Sequence, residues 1–188
     1  MSRLPLHTIE SAPDASRPYL ERSLANNGFL PNLVAALANA PTALETYLTV
    51  GEINSRSSLS LAEREVVQIT AAAIHGCGFC VAGHTGIALN KAKLAPELVE
   101  GIRSRAPLDD ARLNAVARFT EAVIAARGAV SDTELASFHA AGFSDAAALE
   151  VVLGVSLATL CNFANNLSKH PLNPELKRFE WTPSTQPA

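Results

Sequence analysis

Apolar residues recur every three to four positions along nearly the whole chain, which is the spacing of an amphipathic α-helix. Alternating or β-branched runs bounded by turns, which would indicate strands, are almost absent. In the segment AAALEVVLGVSLATLCNFANNL the apolar residues cover most of the helical circumference. A helix of this kind lies in the centre of a fold or at a subunit interface. The sequence therefore predicts an all-α fold with this segment as a central or interface helix.

The domain organisation follows from length and composition. The 188 residues, of which 48% are hydrophobic, suffice for one compact domain that buries a core without disulfides or metals. We expect an extended N-terminal arm over residues 1–27, a helical domain over 28–170 and a C-terminal tail over 171–188. The tail should be loosely ordered, apart from docking of Phe179 and Trp181.

Caps and helix breakers divide the domain into helices. Ser60 and Glu63 have the spacing of a capping box for a helix that starts near residue 61. The helix that Pro41 opens should turn one stripe inward, formed by Leu44, Tyr47, Leu48 and Ile53. Other helices are predicted over residues 31–39, 79–90, 96–103, 109–127, 132–142 and 145–166.

The charge distribution limits the class of partner. A formal net charge of −3 and a pI near 5.9 argue against nucleic acid or an anionic membrane as the main partner. We therefore expect small molecules or other proteins as ligands. Neither a signal peptide nor a membrane span of roughly 20 uncharged apolar residues is apparent, so the expected location is the cytoplasm.

The stretch GCGFCVAGH, residues 76–84, contains a close cysteine pair followed by a histidine. Gly76 and Gly78 should break the preceding helix, so that the cysteines lie at the start of the next one. Unpaired N–H groups and the positive end of the dipole favour a thiolate there, the form that attacks a peroxide or disulfide. In a reducing compartment such a pair indicates redox or metal chemistry.

His84 is the candidate base of this site. It follows Cys80 by four residues and Cys77 by seven, which places all three near one helix face. If one sulfur is oxidised to a sulfenic acid, the other can condense with it to a disulfide that an external dithiol resets. The helix start favours Cys77 as the first to react, and the contact with His84 favours Cys80. Glu65 precedes Cys77 in an almost wholly apolar helix, so it is a candidate relay partner of His84.

Each of these interpretations has an alternative. Glu65 could belong to a solvated first turn with Glu63 and Arg64. The paired cysteines could be small buried hydrophobes, or zinc ligands together with the histidine and His75 or a carboxylate. Structural zinc sites usually draw a second pair of ligands from elsewhere, whereas Cys161 is expected to be inert core. His75 itself is expected to be a partly exposed cation at a helix end. We expect no metal and no cofactor.

Glu65, the run Cys77-Gly78-Phe79-Cys80 and His84 resemble the core motif of the AhpD-like alkylhydroperoxidase and carboxymuconolactone decarboxylase superfamily. Two longer blocks, GFLPNLVAALANAPTALETYL and LSLAEREVVQITAAAIHGCGFCVAGHT, look like consecutive signature blocks of its peroxidase-related branch. The later LCNFANNL is similar to the Asn-rich helix that usually follows. The resemblance covers most of residues 28–167.

The resemblance implies an AhpD-like helical domain that assembles into homo-oligomers, a trimer or hexamer, although a dimer fits the same residues. It implies reduction of organic hydroperoxides, with Glu65, His84 and water relaying protons to the cysteine pair and an external thiol or dithiol as reductant. It favours Cys80 as the peroxidatic cysteine and Cys77 as the resolving one. The best characterised members have a second histidine where this chain has Phe79, which implies a different relay and either slow turnover or another substrate.

The expected function is thus a cytoplasmic antioxidant peroxidase. Two alternatives remain open at the level of sequence: a dithiol-disulfide exchange partner with little peroxidase activity, and a structural zinc module. The decarboxylase branch of the superfamily generally works without a cysteine pair, so a shared fold alone does not imply lactone decarboxylation.

Overall fold

The computed structural model describes residues 2–182. Within that range all regular elements are helical, and no strand is present. They are α1 (Arg17–Asn27), α2 (Asn32–Leu37), α3 (Pro41–Asn54), α4 (Leu61–Ile74), α5 (Gly78–Asn90), α6 (Pro96–Ser104), α7 (Ala111–Ala125), α8 (Asp132–Ala140), α9 (Asp145–Ser168) and a 3-10 helix (Pro174–Phe179). The predicted all-α, single-domain fold is confirmed.

Two apolar clusters form the core, and α4 and α9 contribute to both. One cluster joins α4 to α6, α7, α8 and α9, with the fully buried Val66, Ile102 and Phe138 in it. The other joins α1, α2, α3 and α5 to the C-terminal halves of the same two helices. The cysteine pair belongs to the second cluster, so the site is built against the packed interior rather than on a surface loop.

The start of α4 has the predicted capping box. Ser60 Oγ accepts a hydrogen bond from Glu63 N at 3.3 Å, and Glu63 Oε2 accepts one from Ser60 N at 2.6 Å. Glu63 is buried, and its second oxygen accepts a hydrogen bond from Arg112 Nε at 2.6 Å. Because α4 also carries Glu65, this cap fixes where the glutamate is placed relative to the next helix.

The prediction of an extended arm over residues 1–27 is wrong for its second half, which is α1. Leu20 is fully buried and packs in the second cluster, which stabilises the helix by about 1.5–3 kcal/mol. Gly28 then ends α1 with a left-handed φ of 75°. The helix has few apolar positions, so its helical spacing is weak in the sequence and its stability comes from tertiary packing.

Two further details differ from the prediction. Ile53, expected on the inward stripe of α3, is 43% exposed because the helix ends one residue later at the edge of the fold. The tail is not loosely ordered over residues 171–182, which we call the C-terminal segment. It forms the 3-10 helix against α5, and the expected docking of Phe179 and Trp181 is confirmed by their packing on that helix and its cluster.

By length and composition α9 could cross a membrane, and no other described helix could. It packs instead against α2, α3, α4 and α7 and buries Asn162 and Asn165, so it is the core helix of the bundle. The prediction of a central helix therefore holds. One side of α9 nevertheless exposes large apolar side chains, namely Leu149, Val152, Phe163 and Leu167.

Candidate active site

The cysteine pair lies where α4 ends and α5 begins. His75 is the last cap residue of α4, and Gly76 follows with a φ of 67°, a left-handed conformation that glycine adopts without strain. Cys77 is the N-cap of α5, and its Sγ accepts a hydrogen bond from Cys80 N at 3.3 Å. The predicted break and restart of the helix are thus present, and both sulfurs lie in its first turn.

The two thiols are buried and have opposite acidities. The hydrogen bond from the Cys80 thiol is the main influence that lowers the pKa of Cys77, and the Cys80 N–H and the charge of His84 act in the same direction. That same hydrogen bond, burial and the neighbouring Cys77 raise the pKa of Cys80 well above its ordinary value. In the reduced pair the negative charge therefore lies first on Cys77, with the remaining proton between the sulfurs.

Glu65 on α4 and His84 on α5 form an ion pair. Glu65 Oε2 lies 2.8 Å from His84 Nδ1, and the glutamate is only 5% exposed. Burial lowers the pKa of His84, but the charge and hydrogen bond of Glu65 and the charge of Cys77 outweigh it and raise the pKa above 6.5. A carboxylate oxygen can only accept a hydrogen bond, so the proton of the neutral ring lies on Nδ1. Nε2 is then free to exchange a proton.

Asn165 on α9 is a residue of the site that the sequence did not single out. Its Nδ2 donates to Cys80 Sγ and to the carbonyl oxygen of Cys161, both at 3.1 Å. This contact lowers the pKa of Cys80 and so opposes the influence of its neighbours. Asn165 Oδ1 is buried and has no hydrogen-bond partner among the described residues. Asparagines in the last turns of the most apolar helix were the signal available in the sequence.

A cavity of about 550 Å³, the large cavity, opens on the Cys80 side of the pair. Cys80 and His84 line it together with Tyr47, which the sequence identified only as a packing residue. Burial, followed by the charges of Cys161, Cys80 and Glu65, raises the pKa of the Tyr47 phenol, which therefore remains a proton donor. The apolar lining of the large cavity includes Phe29, Leu33, Ile87, Leu176 and Phe179.

A second cavity of about 330 Å³, the small cavity, opens on the Cys77 side. Phe79 lines both cavities, and the ring of His170 meets it edge-on at 4.7 Å. His170 Nδ1 donates to the carbonyl oxygen of Pro171, so Nε2 carries the lone pair of the neutral ring. Burial lowers the pKa of His170, and Nε2 has no partner among the described residues. A second histidine thus lies beside Phe79 in space, although it is distant in sequence.

His75 and Cys161 are the other residues that the sequence singled out near the cysteine pair. His75 is half-buried at the end of α4, as predicted, and accepts a hydrogen bond from Asn162 Nδ2 at 3.0 Å. Burial lowers its pKa, which disfavours the predicted positive charge. Cys161 is buried, which raises its pKa to about 12, although it also lines the large cavity. Within residues 2–182, no group of three or more His, Cys, Asp or Glu side chains is arranged to hold a metal ion.

The four residues predicted for the site therefore converge: Cys77, Cys80 and His84 share the first half of α5, and Glu65 reaches them from α4. A buried cysteine pair at a helix start, beside a histidine paired with a glutamate in an all-helical bundle, defines a thiol site. The alternative of a solvated Glu65 is excluded by its burial and its ion pair.

Comparison with known proteins supports the predicted family resemblance. Residues 35–122, just under half of the chain, include Glu65, the cysteine pair and His84, and they match the carboxymuconolactone decarboxylase family. This match and the fold both support the predicted relation to the AhpD-like carboxymuconolactone decarboxylase superfamily. No curated protein matches the sequence.

Solved structures of similar fold span nearly the whole chain. A peroxidase-related protein from Ralstonia eutropha with an AhpD core has a TM-score of 0.83 at 23% identity, covering 93% of this chain and 94% of its own. A peroxidase-related protein from Silicibacter has a TM-score of 0.77 at 22% identity, with coverages of 93% and 92%. A cysteine-to-alanine variant of the debrominase Bmp8, in complex with 2,3,4-tribromopyrrole, has a TM-score of 0.74 at 15% identity and covers 94% of both chains.

Proposed function

We propose that this chain is a thiol-dependent peroxidase that reduces organic hydroperoxides and acts as an antioxidant enzyme. The observation that carries the proposal is the position of Cys80 in the wall of the large cavity, beside His84, which forms an ion pair with Glu65. The volume of about 550 Å³ admits an organic molecule, and its apolar lining favours an alkyl or aryl hydroperoxide over hydrogen peroxide.

The first step needs a thiolate on Cys80. Its proton moves along the existing hydrogen bond to Cys77, and the charge left on Cys80 is stabilised by Asn165 Nδ2 at 3.1 Å. The Cys80 sulfur attacks the terminal oxygen of the hydroperoxide, the O–O bond breaks, and the alkoxide leaves. Protonated His84 gives its Nε2 proton to the alkoxide, which leaves as an alcohol.

The second step forms the disulfide. Cys77 gives up the proton that it took from Cys80, and the hydrogen bond from the Cys80 N–H favours the resulting Cys77 thiolate. Its sulfur attacks Cys80 Sγ, the S–O bond breaks, and the hydroxide takes a proton to leave as water. The pair can close without large backbone movement, because Cys80 N already lies 3.3 Å from Cys77 Sγ.

The small cavity supports reduction of the disulfide from the Cys77 side. An external thiolate attacks Cys77, the disulfide breaks and Cys80 takes up a proton; a second thiol then attacks the mixed disulfide and releases Cys77 as a thiolate. The two thiols supply two electrons and leave as their own disulfide. Neutral His170, whose Nε2 is unpartnered among the described residues, can accept the proton of the entering thiol.

The second candidate is a dithiol-disulfide exchange partner with little peroxidase activity. The lowered pKa of Cys77 beside the small cavity favours it, because exchange with another protein needs a thiolate but no cavity for a peroxide.

Hydroperoxide consumption in cysteine variants tests the proposal. With cumene hydroperoxide and dithiothreitol, Cys80→Ser should abolish turnover, whereas Cys161→Ser, which removes the third buried thiol, should retain most of it. Wild-type turnover in Cys80→Ser would overturn the peroxidase mechanism. A wild-type protein that is inert to the peroxide but reduces protein disulfides would favour the exchange partner.

A further inference from the structure

The large cavity runs along one face of α5 from a reactive end to a cationic end. Cys80, His84, Ile87 and Lys91 all line it and follow one another by four, three and four residues, so they form a single stripe. At 1.5 Å per residue, the stripe from Cys80 to Lys91 is about 16 Å long. The site of chemistry and the ammonium group thus lie at opposite ends of one cavity.

Apolar side chains also line this cavity. They are Phe29, Pro31 and Leu33, together with Leu176 and Phe179 of the C-terminal segment. The segment approaches α5 closely, because a Cβ on Gly86 would lie 2.9 Å from the ring of Phe179. A ligand that extends from Cys80 towards Lys91 would therefore lie among apolar side chains for most of its length.

The far end is polar and charged. Lys91 is exposed at the end of α5, and the guanidinium of Arg178 lies 4.5 Å from the ring centroid of Phe179. Neither cation forms an ion pair with any residue in the described range 2–182. Glu175 also lines the cavity and carries the opposite charge, which leaves one net positive charge among these three groups.

We propose that the preferred substrate is an amphiphile, a long-chain fatty acid hydroperoxide whose carboxylate lies at Lys91 and Arg178 while its peroxide reaches Cys80. One acyl chain spans about 15 Å, half of the roughly 30 Å hydrocarbon thickness of a bilayer, so with the carboxylate at Lys91 a peroxide on the distal half of the chain lies near Cys80. The inference rests on the proposed peroxidase function and uses the same balanced steps, with a hydroxy fatty acid as the product alcohol.

The test compares linoleic acid hydroperoxide with its methyl ester, below their micelle concentrations, and with cumene hydroperoxide. The wild type should show a kcat/KM for the acid about fivefold above that for the ester, the effect of one partly exposed ion pair. Lys91→Gln should reduce this preference through KM, with Arg178 still present, and leave the ester and cumene hydroperoxide unchanged. Lys93→Gln, a neighbouring lysine outside the cavity lining, is the matched control and should behave as wild type.

Removal of a negative charge from the cavity should have the opposite effect on the preference for the acid. Glu175→Gln removes the only carboxylate among the residues lining the large cavity, so it should increase the preference for the acid over the ester. Equal kcat/KM for acid and ester in the wild type, or an equal loss for all three substrates in Lys91→Gln, would overturn the proposal.

Binding of linoleic acid, which has no peroxide, separates this inference from the proposed function. Titration calorimetry should show binding to the wild type and weaker binding to Lys91→Gln. If the wild type consumes no hydroperoxide yet binds linoleate through Lys91, the peroxidase function fails and the amphiphile site stands. If it consumes cumene hydroperoxide but Lys91→Gln leaves linoleate binding unchanged, the amphiphile site fails and the peroxidase stands.

Discussion

At the scale of single residues, the site depends on a carboxylate that is buried and paired. Glu65 would be costly in this interior without the 2.8 Å contact to His84 Nδ1, and the contact in turn fixes which ring nitrogen exchanges protons. The pair therefore links the stability of the fold to its chemistry. The lowered pKa of Cys77 and the raised pKa of Cys80 come from their mutual hydrogen bond rather than from the helix start alone.

Glu65→Gln should lower the pKa of His84. The glutamine keeps a hydrogen-bond acceptor but removes the negative charge, so burial becomes the dominant influence on the ring. An NMR titration of the His84 ring should find the pKa above 6.5 in the wild type and lower in the variant. An unchanged pKa would mean that Glu65 does not carry the charge that the ring senses.

The same pair gives a pH dependence of stability. The folded-state pKa of His84 is raised, so its contribution is fully present below the unfolded value of about 6.5 and is lost as pH rises through the folded pKa. The free energy of unfolding of the wild type, relative to that of Glu65→Gln, should therefore decrease over this window. Denaturant titrations of both proteins at several pH values measure the difference.

At the scale of elements, the contact between α5 and the C-terminal segment shapes the large cavity. Gly83 and Gly86 lie in the same helix, yet a Cβ on Gly83 would meet no atom within 4 Å and one on Gly86 would lie 2.9 Å from Phe179. Gly78 is also close to the segment, since its Cβ would lie 2.9 Å from the carbonyl oxygen of Trp181. Glycines on this face of α5 allow the segment to lie against the helix.

Alanine substitutions distinguish the two helical glycines. Gly83→Ala should raise the free energy of unfolding by about 0.5–1 kcal/mol, because alanine favours the helix and fits the space. In Gly86→Ala the added methyl group would lie 2.9 Å from the ring of Phe179. This variant should therefore show no such increase in the free energy of unfolding, and the ring should be displaced. Thermal unfolding and the fluorescence of Trp181, the single tryptophan, report the two effects. Equal behaviour of both variants would show that the segment does not press on α5.

The sequence predicted the elements whose signals are local. The capping box of Ser60 and Glu63 placed α4, and glycines around Cys77 placed the start of α5, because caps and breaks depend on a few neighbouring residues. Helix α1 and the ordered C-terminal segment were missed, since both owe their structure to contacts with distant parts of the chain. Asn173 is an example: its side chain bonds Asn32 N and the carbonyl oxygen of Leu30.

The same distinction holds for the site. The spacing of Cys77, Cys80 and His84 on one helix was readable directly. The apolar surroundings of Glu65 made it a candidate but left a solvated first turn open, and the resemblance to a family favoured the relay. Asn165 lies on α9 and His170 lies between α9 and the C-terminal segment, so both are far along the chain from the cysteines. No local pattern could place either of them beside the sulfurs.

At the scale of the whole molecule, α9 connects the site to the surface. Its inner side supplies Asn165 and Cys161 to the region around Cys80, and its outer side carries an apolar face, formed by Leu149, Val152, Phe163 and Leu167. After Glu150 the helix has no charged residue up to its end at Ser168. We expect a second copy of this chain to cover the face, because an uncharged apolar helix side can meet its symmetry-related copy.

Size-exclusion chromatography with light scattering measures this self-association. The wild type should have the mass of more than one chain, and Leu149→Glu combined with Leu167→Glu should reduce it, since these side chains are 71% and 61% exposed in the single chain. Circular dichroism should show unchanged helicity, because neither side chain is part of the core. A wild type with the mass of one chain would contradict the expectation.

Counting thiols after a single oxidation tests the central claim most directly. The reduced protein has three cysteines and is mixed with one equivalent of an organic hydroperoxide, then denatured and titrated for free thiols. We predict that one thiol remains, on Cys161, and that peptide mass spectrometry finds Cys77 joined to Cys80. Three remaining thiols, or oxidation of Cys80 to a sulfinic acid with Cys77 still free, would contradict the account.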